Sequence, residues 1–310
     1  MENSIKGKLT GSVGGLYNVI TEDGGSVSCR PRGHFRHKKI RLLPGDNVNI
    51  VTDENGNQVI DSLYERKNSL IRPPLANLDI LFCVATVSDP VVDILTFDKL
   101  ISIAEFNKIE PVIIVTKSDL DGDKSEEFAE KYRKSGFTVF VLSSKENEGI
   151  DAIRNYIVEN KHKTAAFSGA SGVGKSSLLN CIFKGLSLEV GGLSRKTGRG
   201  CQTTRQCNLY PLKELLMDED ATGYLADTPG FSMLDFVEFD FYTVDDLPGL
   251  FREFEPYLGC CKFTKCRHLK EQGCAVLGAV NEGIIEKSRH DSFLAIYNDL
   301  KDKKRWDSKQ

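Results

Sequence analysis

The stretch SGASGVGKS at residues 168–176 constrains this chain more than any other. Gly169, Gly174, Lys175 and Ser176 carry the spacing of a phosphate-cradling loop. The apolar AAF before it and KSSLLNCIF after it supply the strand and the helix that such a loop must join. Glycines let backbone amides curl around phosphate oxygens, the following helix points its positive end at them, and the lysine reaches the β and γ oxygens. The loop begins past the midpoint of 310 residues. Most of the sheet that supports it must therefore come earlier in the chain.

That sheet is legible upstream. From Leu78 the apolar runs LDILFCVATV, PVIIVTK, FTVFVLSS and KTAAFSG alternate with helical stretches at about 94–108, 123–135 and 148–161. Such alternation predicts a mostly parallel sheet with helices on both faces. GYLADT (223–228) is expected to join it.

The order of the site motifs is unusual. IVTKSD ends the second of these strands, and Asp119 is placed to accept both N1–H and N2–H2 of guanine, a pairing adenine cannot offer. Lys117 would lay its stem along the purine, while Thr116 stands where the usual motif has Asn. The next strand ends in Ser143-Ser144-Lys145, similar to a turn that closes over guanine. Asp227-Thr228-Pro229-Gly230 follows a later strand, where a carboxylate orients Mg²⁺ through water and a glycine amide senses a γ-phosphate. The base-reading half thus precedes the phosphate-reading half. Strand ends, and not chain order, set a sheet's binding edge, so the pattern is that of a circularly permuted GTPase.

The expected nucleotide contacts are Thr116, Lys117, Ser118 and Asp119, then Ser143, Ser144 and Lys145. They continue through Ser168, Gly169, Ala170, Ser171, Gly172, Val173, Gly174, Lys175, Ser176 and Ser177, with Thr203, Thr204 and Asp227. Mg²⁺ is assigned to Ser176 and Thr204, with Thr203 as the alternative to Thr204. Lys175, Thr204 and Gly230 are the catalytic candidates from these motifs. Residues 191–210 contain no acid and read as the first switch, with Arg195, Lys196, Arg199 and Arg205 as possible RNA contacts.

Two further regions flank this unit. The first seventy residues hold short β-branched runs punctuated by Asp23-Gly24-Gly25 and Asn55-Gly56-Asn57, which predicts a small barrel with hairpin turns. Its segment CRPRGHFRHKKIR (29–41) has six Arg/Lys and no acid; either it is a solvated charged face or it attracts phosphate, with Phe35 stacking on a base. Past about 236 the chain turns irregular, and Cys261, Cys266, His268 and Cys274 form C-x4-C-x-H-x5-C. Three thiolates and one imidazole make a closed tetrahedral set for structural Zn²⁺, with Cys260 a competitor for Cys261. A helix over 282–305 is expected to close the chain.

Composition sets the remaining bounds. With 40% hydrophobic and 27% charged residues there is apolar mass for more than one core. The net charge of −3 leaves nucleic-acid binding to local clustering. Nine cysteines without an export signal argue for a reduced, cytoplasmic protein, and no apolar run is long enough to span a membrane. We expect a monomer divided at 1–70, 71–235 and 236–310.

Barrel, permuted GTPase and Cys/His module, in that order, resemble the ribosome small-subunit-dependent GTPase A (RsgA) family. The resemblance runs through RGHF and PGDNV, TKSD, SGASGVGKSS, GRGCQTTR, DTPGF and CKFTKCRHLKEQGCAV. It implies an OB-fold N-terminal domain that binds ribosomal RNA, and slow GTP hydrolysis stimulated by the small ribosomal subunit during its late maturation. Phe231 follows the D-x-x-G motif, where many GTPases place a water-orienting Gln. Gln202 stands where the family commonly has His, so Gln202 becomes a further catalytic candidate. Alternatives are a GTP-gated RNA-binding module with incidental hydrolysis, and an ATPase permitted by Thr116. Because the GTPase unit exits directly after DTPGF, the C-terminal module is expected to reorient with the nucleotide state.

Overall fold

The computed structural model describes residues 4–71, 73–183, 207–227 and 242–302. The expected boundary at 235/236 lies outside them.

Five strands, β1 (Ile5–Val13), β2 (Leu16–Thr21), β3 (Ser26–Pro31), β4 (Asn47–Thr52) and β5 (Gln58–Leu63), close a barrel in the order β1-β2-β3-β5-β4. A short helix α1 (Gly33–His37) lies between β3 and β4, which completes the OB-type arrangement. Gly24 and Gly56 take φ of +86° and +81° at the two predicted hairpin turns. Inward positions Leu9, Val19, Val48, Ile50 and Ile60 alternate with outward ones to fill the interior. Phe35 joins them and is only 3% exposed. The expectation that Phe35 stacks on a base is therefore overturned. Helix α1 turns this ring inward to plug the barrel, while the Arg and Lys residues around it stay outside.

The link to the next unit runs through β6 (Ser69–Leu70) and β7 (Leu75–Ala76), a two-stranded ribbon. Gly45 sits so close to it that a Cβ would lie 1.9 Å from the Ala76 carbonyl, at φ +95°. Asp46, fully buried, pairs with Arg66 at 2.6 and 2.8 Å and takes the Leu43 amide at 2.7 Å.

The central sheet has the order β10-β9-β8-β11-β13-β12. Its strands are β8 (Ile80–Ala85), β9 (Glu110–Val115), β10 (Thr138–Val141), β11 (Thr164–Gly169), β12 (Asn208–Pro211) and β13 (Tyr224–Asp227). All pairings are parallel except β12–β13. Helices α2 (Ile94–Phe106), α3 (Gly122–Lys134), α4 (Ile150–Glu159) and α5 (Lys175–Ile182) fall close to the predicted stretches, and a short α6 (Leu212–Leu216), not expected from the sequence, follows β12. Asp93 and Asp121 cap α2 and α3 through the Thr96 and Lys124 amides. Strand alternation sends Leu81, Cys83 and Ala85 to the face covered by α2 and α3, and Phe82 and Val84 to the face covered by α4 and α5. Residues 208–210, assigned from sequence to the first switch, instead belong to the edge strand β12. Asn-Leu-Tyr-Pro suits an edge because the terminal proline has no amide to donate.

The C-terminal region begins with 3-10 turns at Leu247–Leu250 and Arg252–Tyr257, and continues into α7 (Ala275–Asn281) and α8 (Lys287–Asp302). It shares one apolar core with α2 and α3: Phe251, Phe254, Phe293, Ile296 and Tyr297 lie in the cluster that holds Phe97, Leu100 and Phe128. At its centre Arg289, 1% exposed, bonds Asp98 at 2.5 Å and Glu253 at 2.7 Å, and the Tyr132 hydroxyl donates to Asp98 at 2.9 Å. Arg252 pairs with Glu105 of α2 and Glu110 of β9. A reorientation of this module would expose that core and strip a buried guanidinium of its partners, a change costing several kcal/mol. The expected reorientation with nucleotide state would have to break this packing.

Candidate functional site

Strand C-terminal ends β10, β9, β8, β11 and β13 share one edge, because their pairings are parallel and in register from Val141 through Val115 and Ala85. Every described nucleotide candidate is carried at that edge.

The phosphate half follows β11. A Cβ on Gly169 would meet the Val84 carbonyl at 2.4 Å, so only glycine lets the chain leave the strand there. Gly172 and Gly174 take φ of +83° and +92°, which turns the loop's amides inward. Gly174 opens α5 with no side-chain cap, so the first amides of the helix are uncommitted by side chains and suit an anion. Lys175 Nζ donates to the Gly169 and Ala170 carbonyls at 2.6 and 2.9 Å, holding it along the loop. Burial pushes its ammonium down to about 8. Val173 is buried and anchors the loop from below; Ser171 and Gly172 are exposed at its crest. Ser176 is half-buried and Ser177 exposed. Ser168 is fully buried, and its hydroxyl has no hydrogen-bond partner among the described residues.

The base half follows β9 and β10. Asp119 accepts the Ser143 hydroxyl at 2.6 Å, and Ser143 in turn accepts the Glu146 amide at 3.1 Å. This bond, helped by Lys145 at 3.8 Å and by Lys117, holds the Asp119 carboxyl below its usual range and keeps it ionised. The Ser118 amide donates to Leu142 across to β10, and the Ser144 carbonyl lies 3.6 Å from the Cys181 thiol of α5. Lys117 occupies a left-handed conformation at φ +59° and donates its ammonium to the Asp89 carbonyl.

Thr116 joins the two halves. Its buried hydroxyl donates to the Val173 carbonyl at 2.5 Å, across 57 positions of sequence. The departure from Asn is thus a cross-link between base strand and phosphate loop. A second tie was not readable from sequence. Arg154 of α4 donates to the Cys181 and Ile182 carbonyls at 2.8 and 3.2 Å, closing the far end of α5. A backbone carbonyl carries no residue signature, so neither partner was visible in the chain's letters.

Asp227 ends β13 opposite Asn208, on the edge shared with Gly169. Gln202, Thr203, Thr204 and Gly230 lie outside the described residues, as do Arg195, Lys196, Arg199, Arg205, Thr228, Pro229 and Phe231.

A second centre lies in the C-terminal module. The ligand atoms of Cys261, Cys266, His268 and Cys274 all fall within 4.8 Å of one another. Cys261 Sγ is 3.8 Å from Cys274 Sγ and 3.6 Å from His268 Nδ1, and His268 Nδ1 is 3.4 Å from Cys274 Sγ. These are the edges of a tetrahedron with bonds of about 2.0–2.3 Å, so the four groups fit a single closed metal site. The Ala275 amide points at Cys261 Sγ and the Leu277 amide at Cys274 Sγ. His290 reaches the His268 carbonyl at 2.8 Å, fixing the ligand's backbone. Cys260 is exposed, its thiol bonds the Pro256 carbonyl, and it lies outside the cluster, so Cys261 is the member of the set.

Comparisons with known proteins agree with this geometry. The family model of the RsgA GTPase matches residues 63–237, and that of the RsgA N-terminal domain matches residues 6–60. The small ribosomal subunit biogenesis GTPase RsgA of Caldanaerobacter subterraneus subsp. tengcongensis is 39% identical over 304 residues, covering 97% of both chains. Its counterpart in Bacillus subtilis is 36% identical over 307 residues, covering 96% of this chain and 98% of its own. The crystal structure of YjeQ from Thermotoga maritima superposes with a TM-score of 0.78 at 31% identity, covering 97% of this chain and all of that one. YloQ, described as a circularly permuted GTPase, gives 0.77 at 32% identity with 98% coverage of each. A strand ending in TKSD placed ahead of the phosphate loop, a closed barrel before them and a Cys/His centre behind accord with the comparisons, which make this chain a member of the RsgA family of GTPases.

Proposed function

We propose that this GTPase acts on the small ribosomal subunit, binding its RNA and hydrolysing GTP during late maturation of the subunit. The observation that carries the reading is the Thr116–Val173 bond, which fixes the guanine-reading strand and the phosphate loop as one unit. Relatives matching nearly the whole chain bear names that tie them to small-subunit biogenesis.

In this reading Asp119 pairs with guanine, Ser143 and Lys145 hold its charge and close the base pocket, and Lys117 flanks the purine. The amides of 170–174 and the ammonium of Lys175 take the phosphates. Ser176 and Thr204, or Thr203 in its place, would hold Mg²⁺, which would supply positive charge to the phosphates. Gly230 would offer its amide to the γ-phosphate, and Asp227 would help to hold the metal through water. The rate gain comes from positioning and electrostatics, with little side-chain proton transfer. Phe231 cannot orient water, so that role falls to Gln202. The Cys261, Cys266, His268 and Cys274 centre takes Zn²⁺ and serves folding, since four protein ligands leave no open position for chemistry.

The test is GTP turnover with and without purified small subunits, at two salt concentrations. We expect stimulation by subunits that falls at the higher salt, and a clear loss of stimulated rate in Gln202→Ala. Absence of stimulation overturns the small-subunit reading. An unchanged stimulated rate in the variant removes Gln202 from the mechanism.

A further inference from the structure

The seam between the barrel and the central sheet contains a cleft of about 610 Å³, within the range of small-ligand pockets. It lies at the sheet edge remote from the nucleotide: Tyr224, which lines it, begins β13, and Asp227 ends the same strand. Strand β1 supplies one wall through Lys6 and Lys8, and α6 supplies another through Lys213.

The lysines of this cleft are unusual in what they touch. Lys8 Nζ stands 5.4 Å from the centre of the Tyr224 ring, and Lys6 Nζ stands 5.4 Å from that of Tyr64. Lys213 reaches towards Gly24 at the β2–β3 turn. None of the three has a carboxylate partner among the described residues. The acids whose charge is felt at Lys8 are Asp79 and Asp46, and both are committed elsewhere. Asp79 pairs with Lys67 and accepts the Thr164 amide, and Asp46 pairs with Arg66. Asp23 accepts the Thr21 hydroxyl and the Gly25 amide, while Glu22 and Glu219 are exposed at the rim. Burial lowers the Lys8 pKa, and the charges of Asp79 and Asp46 offset this only in part. An aromatic face compensates a desolvated cation only in part, and an anion supplies the rest.

We propose that this seam cleft is a phosphate site for single-stranded RNA, with Lys8 against Tyr224 as its central contact and Lys6 and Lys213 flanking it. Cations on two separate elements suit a run of backbone phosphates more than one isolated ion. The identity of the strand as RNA rests on the proposed function; the site itself rests on the cleft and on three lysines that lack a carboxylate partner among the described residues.

The probe is a labelled single-stranded oligoribonucleotide bound to the full chain, measured at several salt concentrations. Lys8→Met and Lys213→Ala are each expected to weaken binding about tenfold, as loss of one charged contact does. The slope of log affinity against log salt should shrink by about 0.7 per lysine. Intrinsic GTP turnover equal to the parent shows that both variants fold. Affinity and slope unchanged in both overturn the site. Inorganic phosphate at constant ionic strength is the second probe. If its binding depends on Lys8 while the oligonucleotide's does not, the cleft takes a free anion and the RNA assignment falls. Subunit-stimulated turnover is read separately, so failure of the small-subunit reading is distinguishable from failure of the cleft.

Discussion

Lys175 shows how much one residue's setting decides. Burial pushes it down to about 8, and a triphosphate beside it favours the ammonium. Binding GTP at pH 9 should therefore draw close to one proton onto the protein, and at pH 6.5 this lysine should contribute none. Calorimetry in two buffers of different ionisation heat reads that difference. In the free chain the sign follows the same shift: between about 8 and the ordinary 10.5 the unfolded lysine holds more protons, so its burial costs less stability as pH rises. Phe35 makes the opposite lesson. It was legible as an aromatic within a basic run, but letters cannot say which way a five-residue helix turns its ring. As a barrel plug, Phe35→Ala should cost about 3–5 kcal/mol of barrel stability. Chemical denaturation should register that loss; a variant of parental stability with weakened RNA binding would restore the stacking role.

At the scale of elements, motifs whose spacing is enforced by backbone geometry were readable in advance. The phosphate loop is one, since Gly169, Gly172 and Gly174 each occupy a position where a side chain clashes or is strained. The Cys/His set is another, because four ligands must converge within bonding reach of one ion. Cys260 and Cys261 could not be separated by spacing, yet the turn after Tyr257 sends their thiols to different sides. Accordingly Cys261→Ser should lose the bound metal and unfold the segment around α7, while Cys260→Ser should keep one metal per chain. Metal binding contributes on the order of 10 kcal/mol to such segments. Elemental analysis of the two variants decides the assignment. Edge strand β12 was missed because four residues beside a basic loop give no periodicity, and its place follows only from pairing with β13.

At the scale of the molecule, the permutation is what the sequence most plainly announced, and the docking of its modules is what it concealed. Asp98 and Arg289 are 191 positions apart, and nothing local marks either as half of a buried pair. The pair ties the C-terminal module to α2 of the GTPase unit. The barrel, in turn, lies along β12 and β13. Gly11 of β1 abuts the side chain of Asn208 so closely that a Cβ would lie 2.3 Å from it, and Lys8 meets Tyr224. Those two strands connect to residues 201–206 and 228–230, so the barrel touches the segments of chain that flank the γ-phosphate motifs. Everything still depends on Asp119 reading guanine at an edge it shares with the phosphate loop. The direct measurement is subunit-stimulated turnover of Asp119→Asn with GTP and with xanthosine triphosphate, whose 2-carbonyl accepts where guanine's amine donates. We predict that GTP turnover falls by at least about a hundredfold, as expected when a buried pairing group is mismatched, and that xanthosine triphosphate restores it. GTP turnover at the parental rate in this variant would contradict the account.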